Sequence, residues 1–186
     1  GYCDQDRRHL GVLNAGYQTP VVGSGVVRAL ASGWRLSGIL SARSGTRLNI
    51  TSGIDRAFTG ISAQRVNQVS DAIYGSGKDA KDLKPGEQII DYLNRSAFVQ
   101  PDLGTLGTAK RNLGVGPGFW QIDTALSKIV SVVGRQRVEL RLEAFNLLNN
   151  FNWGTPILNF NSATFGRITS QAGTPRIIQF GLKYDF

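Results

Sequence analysis

The sequence has a single cysteine, Cys3, among 186 residues, so no internal disulfide is available to staple the fold. With His9 as the only histidine, neither a Ser-His-Asp triad nor a multi-histidine metal site has support. Methionine is absent, the first residue is Gly and no signal peptide is evident, which reads as a fragment or a mature segment. No apolar run approaches the ~20 residues of a transmembrane helix. With a mean hydropathy of −0.14, nothing marks the chain as a helical membrane protein. It leaves a β-barrel open, because each barrel strand carries a much weaker signal. The net charge is +8 and the pI about 10.1, yet there is no Lys/Arg run and no nucleic-acid module, so nucleic acid is not an expected partner.

The remaining chemistry-bearing residues fit bland roles. Asp4, Asp6 and His9 read as polar residues near a strand end. Gly77-Lys78 lacks both the first glycine and the Ser/Thr of a phosphate loop, since Ala72 and Asp79 stand there. Pro117 makes residues 114–118 a turn and not a dinucleotide-binding helix start. Glu139 and Glu143 are flanked by Arg137, Arg141 and Lys183 and read as a solvated charge ladder. No enzyme and no cofactor is expected.

Twenty-three glycines punctuate short apolar stretches, which favours many turns and an all-β chain. The last stretch has the clearest pattern. Ile178, Phe180, Leu182, Tyr184 and Phe186 alternate with Ile177, Gln179, Gly181, Lys183 and Asp185. Successive strand residues point to opposite faces, so one face is apolar and the other mostly polar. A strand of about 9–11 residues, apolar toward lipid and ending in aromatics, is the pattern of a transmembrane barrel.

Four earlier stretches follow. Residues 7–18 read as a strand of ambiguous facing, with His9, Gly11, Leu13, Ala15 and Tyr17 on one side. Pro20 ends it, and residues 26–31 read as one helical turn. In residues 33–50, Trp34, Leu36, Leu40 and Ala42 oppose Arg35, Ile39 and Arg43, and Leu48 and Ile50 keep the outer parity. Residues 51–118 lose the alternation and form a long polar loop. Residues 88–93 and 165–169 read as local strand pieces within loops, and residues 94–98 as locally structured. Residues 119–130 resume the alternation, with Trp120, Ile122 and Leu126 opposite Gln121 and Asp123. Lys128 falls on the apolar parity, where its long chain is expected to snorkel to the membrane interface. After a turn at residues 131–134, residues 135–148 set Val138, Leu140, Leu142 and Ala144 against Arg137, Glu139, Arg141 and Glu143. Short connections alternate with long ones, as periplasmic turns alternate with extracellular loops in a barrel. The expected fold is an all-β antiparallel up-and-down meander of about five long strands. Arg35, Arg43, Asp123, Arg137, Glu139, Arg141, Glu143 and Lys183 are the candidate lumen-facing residues.

Residues 137–150 (RVELRLEAFNLLNN) and 162–186 (SATFGRITSQAGTPRIIQFGLKYDF) resemble the C-terminal end of TonB-dependent receptors. The similarity is to the Oar-like group, which carries a carboxypeptidase-regulatory-like domain. Asp6-Arg7-Arg8-His9, residues 33–39, Ser44-Gly45-Thr46, residues 97–101, residues 111–113 and residues 116–119 agree in the same order. The resemblance implies the C-terminal segment of a bacterial outer-membrane barrel of about 22 strands with a plugged lumen. Plug and N-terminal strands would lie outside residues 1–186, and residues 51–118 would be an extracellular loop. It implies ligand uptake across the outer membrane, with the ligand unspecified. The implied partners are outer-membrane lipid, the rest of the same barrel with its plug, the barrel assembly machinery, and the TonB complex acting through the missing N-terminal parts. Ile178, Phe180, Leu182, Tyr184 and Phe186 become the assembly signal. The alternative reading is a secreted β-sandwich that binds a polymer through Trp34, Trp120 and Trp153.

Overall fold

The computed structural model describes residues 2–79, 87–132, 134 and 136–186. Five long strands, β1 (Leu10–Gln18), β2 (Trp34–Arg43), β3 (Phe119–Ser131), β4 (Arg137–Phe145) and β5 (Ile177–Asp185), form one sheet in sequence order. This is the antiparallel up-and-down meander that the alternation predicts. The sheet is open, with β1 and β5 as its edges. The chain divides into two compact units. One holds the long strands with their short connections. The other gathers residues 1–9, 43–119 and 151–173.

In the sheet unit, the connection from β1 to β2 carries a helix, α1 (Gly25–Ala31). The turn from β3 to β4 closes with Val132 N–H donating to the Gln136 carbonyl at 3.0 Å, around Gly134 at φ 62°. Val133 and Arg135, which the sequence reading placed in this turn and in β4, lie outside the described residues. The pairing of β4 with β5 sets Leu140 opposite Leu182, Leu142 opposite Phe180 and Val138 opposite Tyr184. In β3, Leu126 meets Leu142 and Val130 meets Val138. The facing of β1 is also resolved. Thr19 N–H donates to Trp34 O and Ser44 N–H to His9 O, which puts Tyr17 opposite Leu36 and Leu13 opposite Leu40. Tyr17 and Leu13 therefore belong to the same apolar face.

The other unit corrects several expectations. β2 ends at Arg43 and not near Ile50. Beyond Ser44 the chain leaves the sheet, and Arg47–Leu48 pair antiparallel with Gly114–Val115. The crossing depends on Gly45, where a Cβ would collide with the Gly116 carbonyl. Leu48 and Ile50, expected to keep the outward parity, are instead fully buried at 0 % and 1 % exposure. Residues 51–118 lack long strands but are not structureless. Leu48, Ile50, Val66, Leu93, Phe98, Phe165 and Ile168 form a hydrophobic core with residues from 151–173. Each such side chain contributes about 1.5–3 kcal/mol on full burial. Short pairings tie the backbone: Asn67–Gln68 with Phe98–Val99, Asn152–Trp153 with Gln171–Ala172, and Ile89 with Ile168. Residues 94–98 hold a 3-10 turn, Arg95–Ala97, capped by the Asn94 side chain. Residues 165–169 make a turn and a single bridge where a strand extension was expected. Lys78 and Asp79 lie in a 3-10 turn, Ser76–Asp79. Residues 80–86 lie outside the described residues.

Candidate functional site: the two faces of the sheet

The period-two pattern and the strand registers collect the side chains into two chemically distinct faces. On the first lie Trp34, Leu36, Leu126, Leu140, Leu142, Phe180, Leu182 and Tyr184. Trp34, Leu126, Leu140, Leu142, Phe180 and Leu182 border a shallow apolar groove. Phe180 is 83 % exposed and Leu182 71 %, an unusual fate for adjacent large apolar groups on one sheet.

Lys128 sits on this face opposite Leu140, and the structure corrects the expectation that it snorkels. It is 7 % exposed, and its ammonium donates to the Leu30 and Ser32 carbonyls, both at 3.0 Å. Trp34 Nε1 donates to the same Leu30 carbonyl at 2.8 Å, and the Lys128 amine lies 4.6 Å from the Trp34 ring centre. The last carbonyls of a helix have no partner within the helix, and here a cation and an indole supply them.

On the second face, Glu139, Arg141 and Glu143 follow one another along β4. Arg141 lies 3.7 Å from Glu139 and 3.5 Å from Glu143. Lys183 stands opposite Glu139 and pairs with Asp185 at 2.9 Å, while Gln179 donates to Glu143. Arg137, opposite Asp185, and Arg35, on β2, are exposed. Pairs this exposed are screened by water, so they do little to hold the sheet together. They make its second face hydrated and mixed in charge. All eight candidate lumen residues fall on this face by strand parity, but two have more specific partners. Asp123 accepts from Gln121 Nε2 and from the Asn146 backbone N–H at 2.8 Å. Arg43 lies over the Phe119 ring, 4.2 Å from its centre.

The contact from Asp123 belongs to a feature that alternation does not reveal. After β4 the chain turns through Asn146 and Asn149, both with positive φ (51° and 53°). Asn146 Nδ2 donates to the Asn150 and Thr174 carbonyls, and its Oδ1 accepts the Asn150 N–H. Asn149 Oδ1 accepts the Arg176 N–H, and the Leu147 N–H donates to Ile122 O. One asparagine-rich turn thereby ties β3, β4 and the entry to β5. Its visible signal is the Asn-rich run directly after a strand, since Asn tolerates left-handed backbone and bonds locally.

The N-terminal acidic residues are engaged structurally. Asp6 pairs with Arg47 at 2.9 Å, and the Arg47 guanidinium lies over the Tyr2 ring. Asp4 accepts from Asn112 Nδ2 at 2.7 Å and pairs with Arg111 at 2.9 Å. The Asn112 bond and then Arg111 hold the Asp4 carboxyl below its ordinary value, against a smaller opposing effect of burial. Among the described residues no group of three metal-ligating side chains occurs. Residues 114–118 contain a short strand and no helix.

An amphipathic meander of long antiparallel strands, apolar on one face and charged on the other, has the construction of a barrel wall. The chain belongs to the family described as outer membrane beta barrel domain, whose model matches residues 1–179. No curated protein and no solved structure matches the chain.

Proposed function

We propose that the chain is the C-terminal part of the barrel of a TonB-dependent receptor, which takes up a ligand across the bacterial outer membrane. The observation that supports this most is the uncovered apolar face of the sheet, set against the charged face formed by Arg141 and its neighbours. Water exposure of Phe180 and Leu182 is unfavourable, and contact with lipid removes that cost. Arg141 facing lipid at mid-membrane would cost about 2–4 kcal/mol, so it faces the lumen. Family membership supports the outer-membrane location, and the resemblance at residues 137–150 and 162–186 supports the receptor reading. In this reading β1 and β5 pair with other strands of the same barrel, the lumen holds a plug, and the TonB complex acts on segments before residue 1. The chain performs no catalysis.

The test uses the full-length protein with Cys3 replaced by Ser. Spin labels are placed at Arg141 or Leu142, and accessibility to a lipid-dissolved quencher is measured in vesicles. Quenching at 142 with protection at 141 is expected. The reverse result overturns the facing, and quenching at neither overturns the membrane wall. The coding sequence upstream of residue 1 checks the receptor part of the proposal. A plug and further alternating strands are expected there, and a barrel without a plug would remove TonB-driven uptake.

A further inference from the structure

We propose that the unit of residues 1–9, 43–119 and 151–173 contains an anion-binding site that takes a carboxylate or phosphate group between Arg7 and Arg43. The two arginines line one cavity of about 140 Å³ together with Thr46, Phe119, Trp153 and Thr155. No acidic residue lines it. The nearest acid in sequence, Asp6, is already committed to Arg47 at 2.9 Å. Among the described residues neither Arg7 nor Arg43 has an ion pair. Arg7 donates once, to the Ser44 carbonyl at 3.2 Å. The Arg43 guanidinium makes no hydrogen bond to a described residue, and its flat face lies 4.2 Å from the Phe119 ring centre.

That stacking has a chemical consequence. It orients the guanidinium while leaving its N–H edge for an acceptor, and that edge matches carboxylate and phosphate oxygens in bidentate fashion. Trp153 is half-buried, yet its indole N–H has no acceptor among the described residues, and the hydroxyls of Thr46 and Thr155 likewise make no hydrogen bond to them. Arg7 and Arg43 are both exposed, and with the indole and the two hydroxyls they give one cavity a set of donors, and no acid, that an anion entering from solvent could use. The volume is well below the ~300 Å³ of pockets that enclose a drug-sized molecule, so the site grips one charged group of a ligand. The site is formed within one compact unit and does not depend on the transport reading.

The experiment is titration calorimetry on the full-length protein in detergent micelles, at constant ionic strength set with chloride. The probes are inorganic phosphate and acetate, run separately. Saturable binding of one probe supports the site and names its chemistry; binding of both supports a general anion site. For the probe that binds, Arg43→Gln and Arg7→Gln should each weaken affinity about tenfold or more, as expected when a charge-assisted bond is lost. Arg43→Lys should fall between, because it keeps the charge and loses the fork and the flat face. Heat-modifiable migration on a gel shows whether each variant has folded, and Arg7, outside the strands, provides the second variant if Arg43→Gln does not fold. Absence of saturable binding by both probes in folded protein overturns the proposal, as does binding that neither glutamine variant weakens. Either failure is distinct from failure of the barrel reading, which the gel reports on the same sample.

Discussion

At the scale of single residues, the most consequential side chain is Asn146, which is 2 % exposed. Its three side-chain hydrogen bonds reach Asn150 and Thr174, and its backbone N–H is held by Asp123. At φ 51° an alanine would also meet the steric cost of left-handed backbone, about 1–2 kcal/mol. Asn146→Ala should therefore destabilise the protein by about 2–4 kcal/mol, combining lost bonds with backbone strain. Asn146→Gly removes the same bonds but relieves the strain, so it should lose less. Urea unfolding of both variants in micelles separates the two contributions. Equal midpoints for the variants would assign the whole effect to the bonds, and midpoints equal to wild type would mean that water replaces them. Lys128 illustrates the same logic of satisfaction: an amine on the apolar face is tolerated because the Leu30 and Ser32 carbonyls at the end of α1 accept its hydrogen bonds.

At the scale of elements, the long strands were legible because their pattern repeats every two residues over nine or more positions. Register and facing follow from that pattern wherever one face is uniformly apolar. Residues 51–118 were opaque for a physical reason. Their core is assembled from single apolar residues far apart in sequence, such as Val66, Leu93 and Ile168, held by isolated bridges and two-residue pairings. No periodicity marks such a core, and Leu48 and Ile50 continued the β2 parity while belonging to it. The cavity beside Arg43 was hidden likewise, since it needs Trp153 brought back from more than a hundred residues away. The ordered unit also changes where an insertion can be placed. Gly77 is a poor site, because its N–H donates to Asp91 O and a Cβ there would press on Ile89. Ile61, 60 % exposed, is a better one. If residues 51–118 lie outside the cell, an epitope inserted after Ile61 should bind antibody on intact cells. One inserted between Gly23 and Ser24, in the connection from β1 to β2, should bind only after the membrane is opened. The opposite pattern would reverse the topology.

At the scale of the whole molecule, an open sheet cannot persist in a membrane by itself, because edge strands expose unpaired backbone groups that lipid cannot satisfy. On the proposed barrel reading, the edge strand β5 has two tasks: to pair with a further strand, and to be recognised while that pairing is still absent. Its composition suits the second task. Ile178, Phe180, Leu182 and Tyr184 project from one face at every second position, and Phe186 follows at 96 % exposure with its ring 6.3 Å from that of Tyr184. An added strand binds through its backbone while alternate side chains fill pockets, so spacing by two is what an assembly partner could read. Burial alone would make Phe186 a modest residue, since one aromatic at the rim contributes at most ~1.5–3 kcal/mol. Recognition predicts a larger effect confined to cells. Deleting Phe186 from the full-length protein should sharply reduce the heat-modifiable, surface-exposed form in cells while leaving refolding yield in detergent micelles near wild type. Equal surface levels with and without Phe186 would remove its role as a signal. Loss in both assays would make it a structural residue, and the apolar row from Ile178 to Tyr184 would then be explained by lipid contact alone.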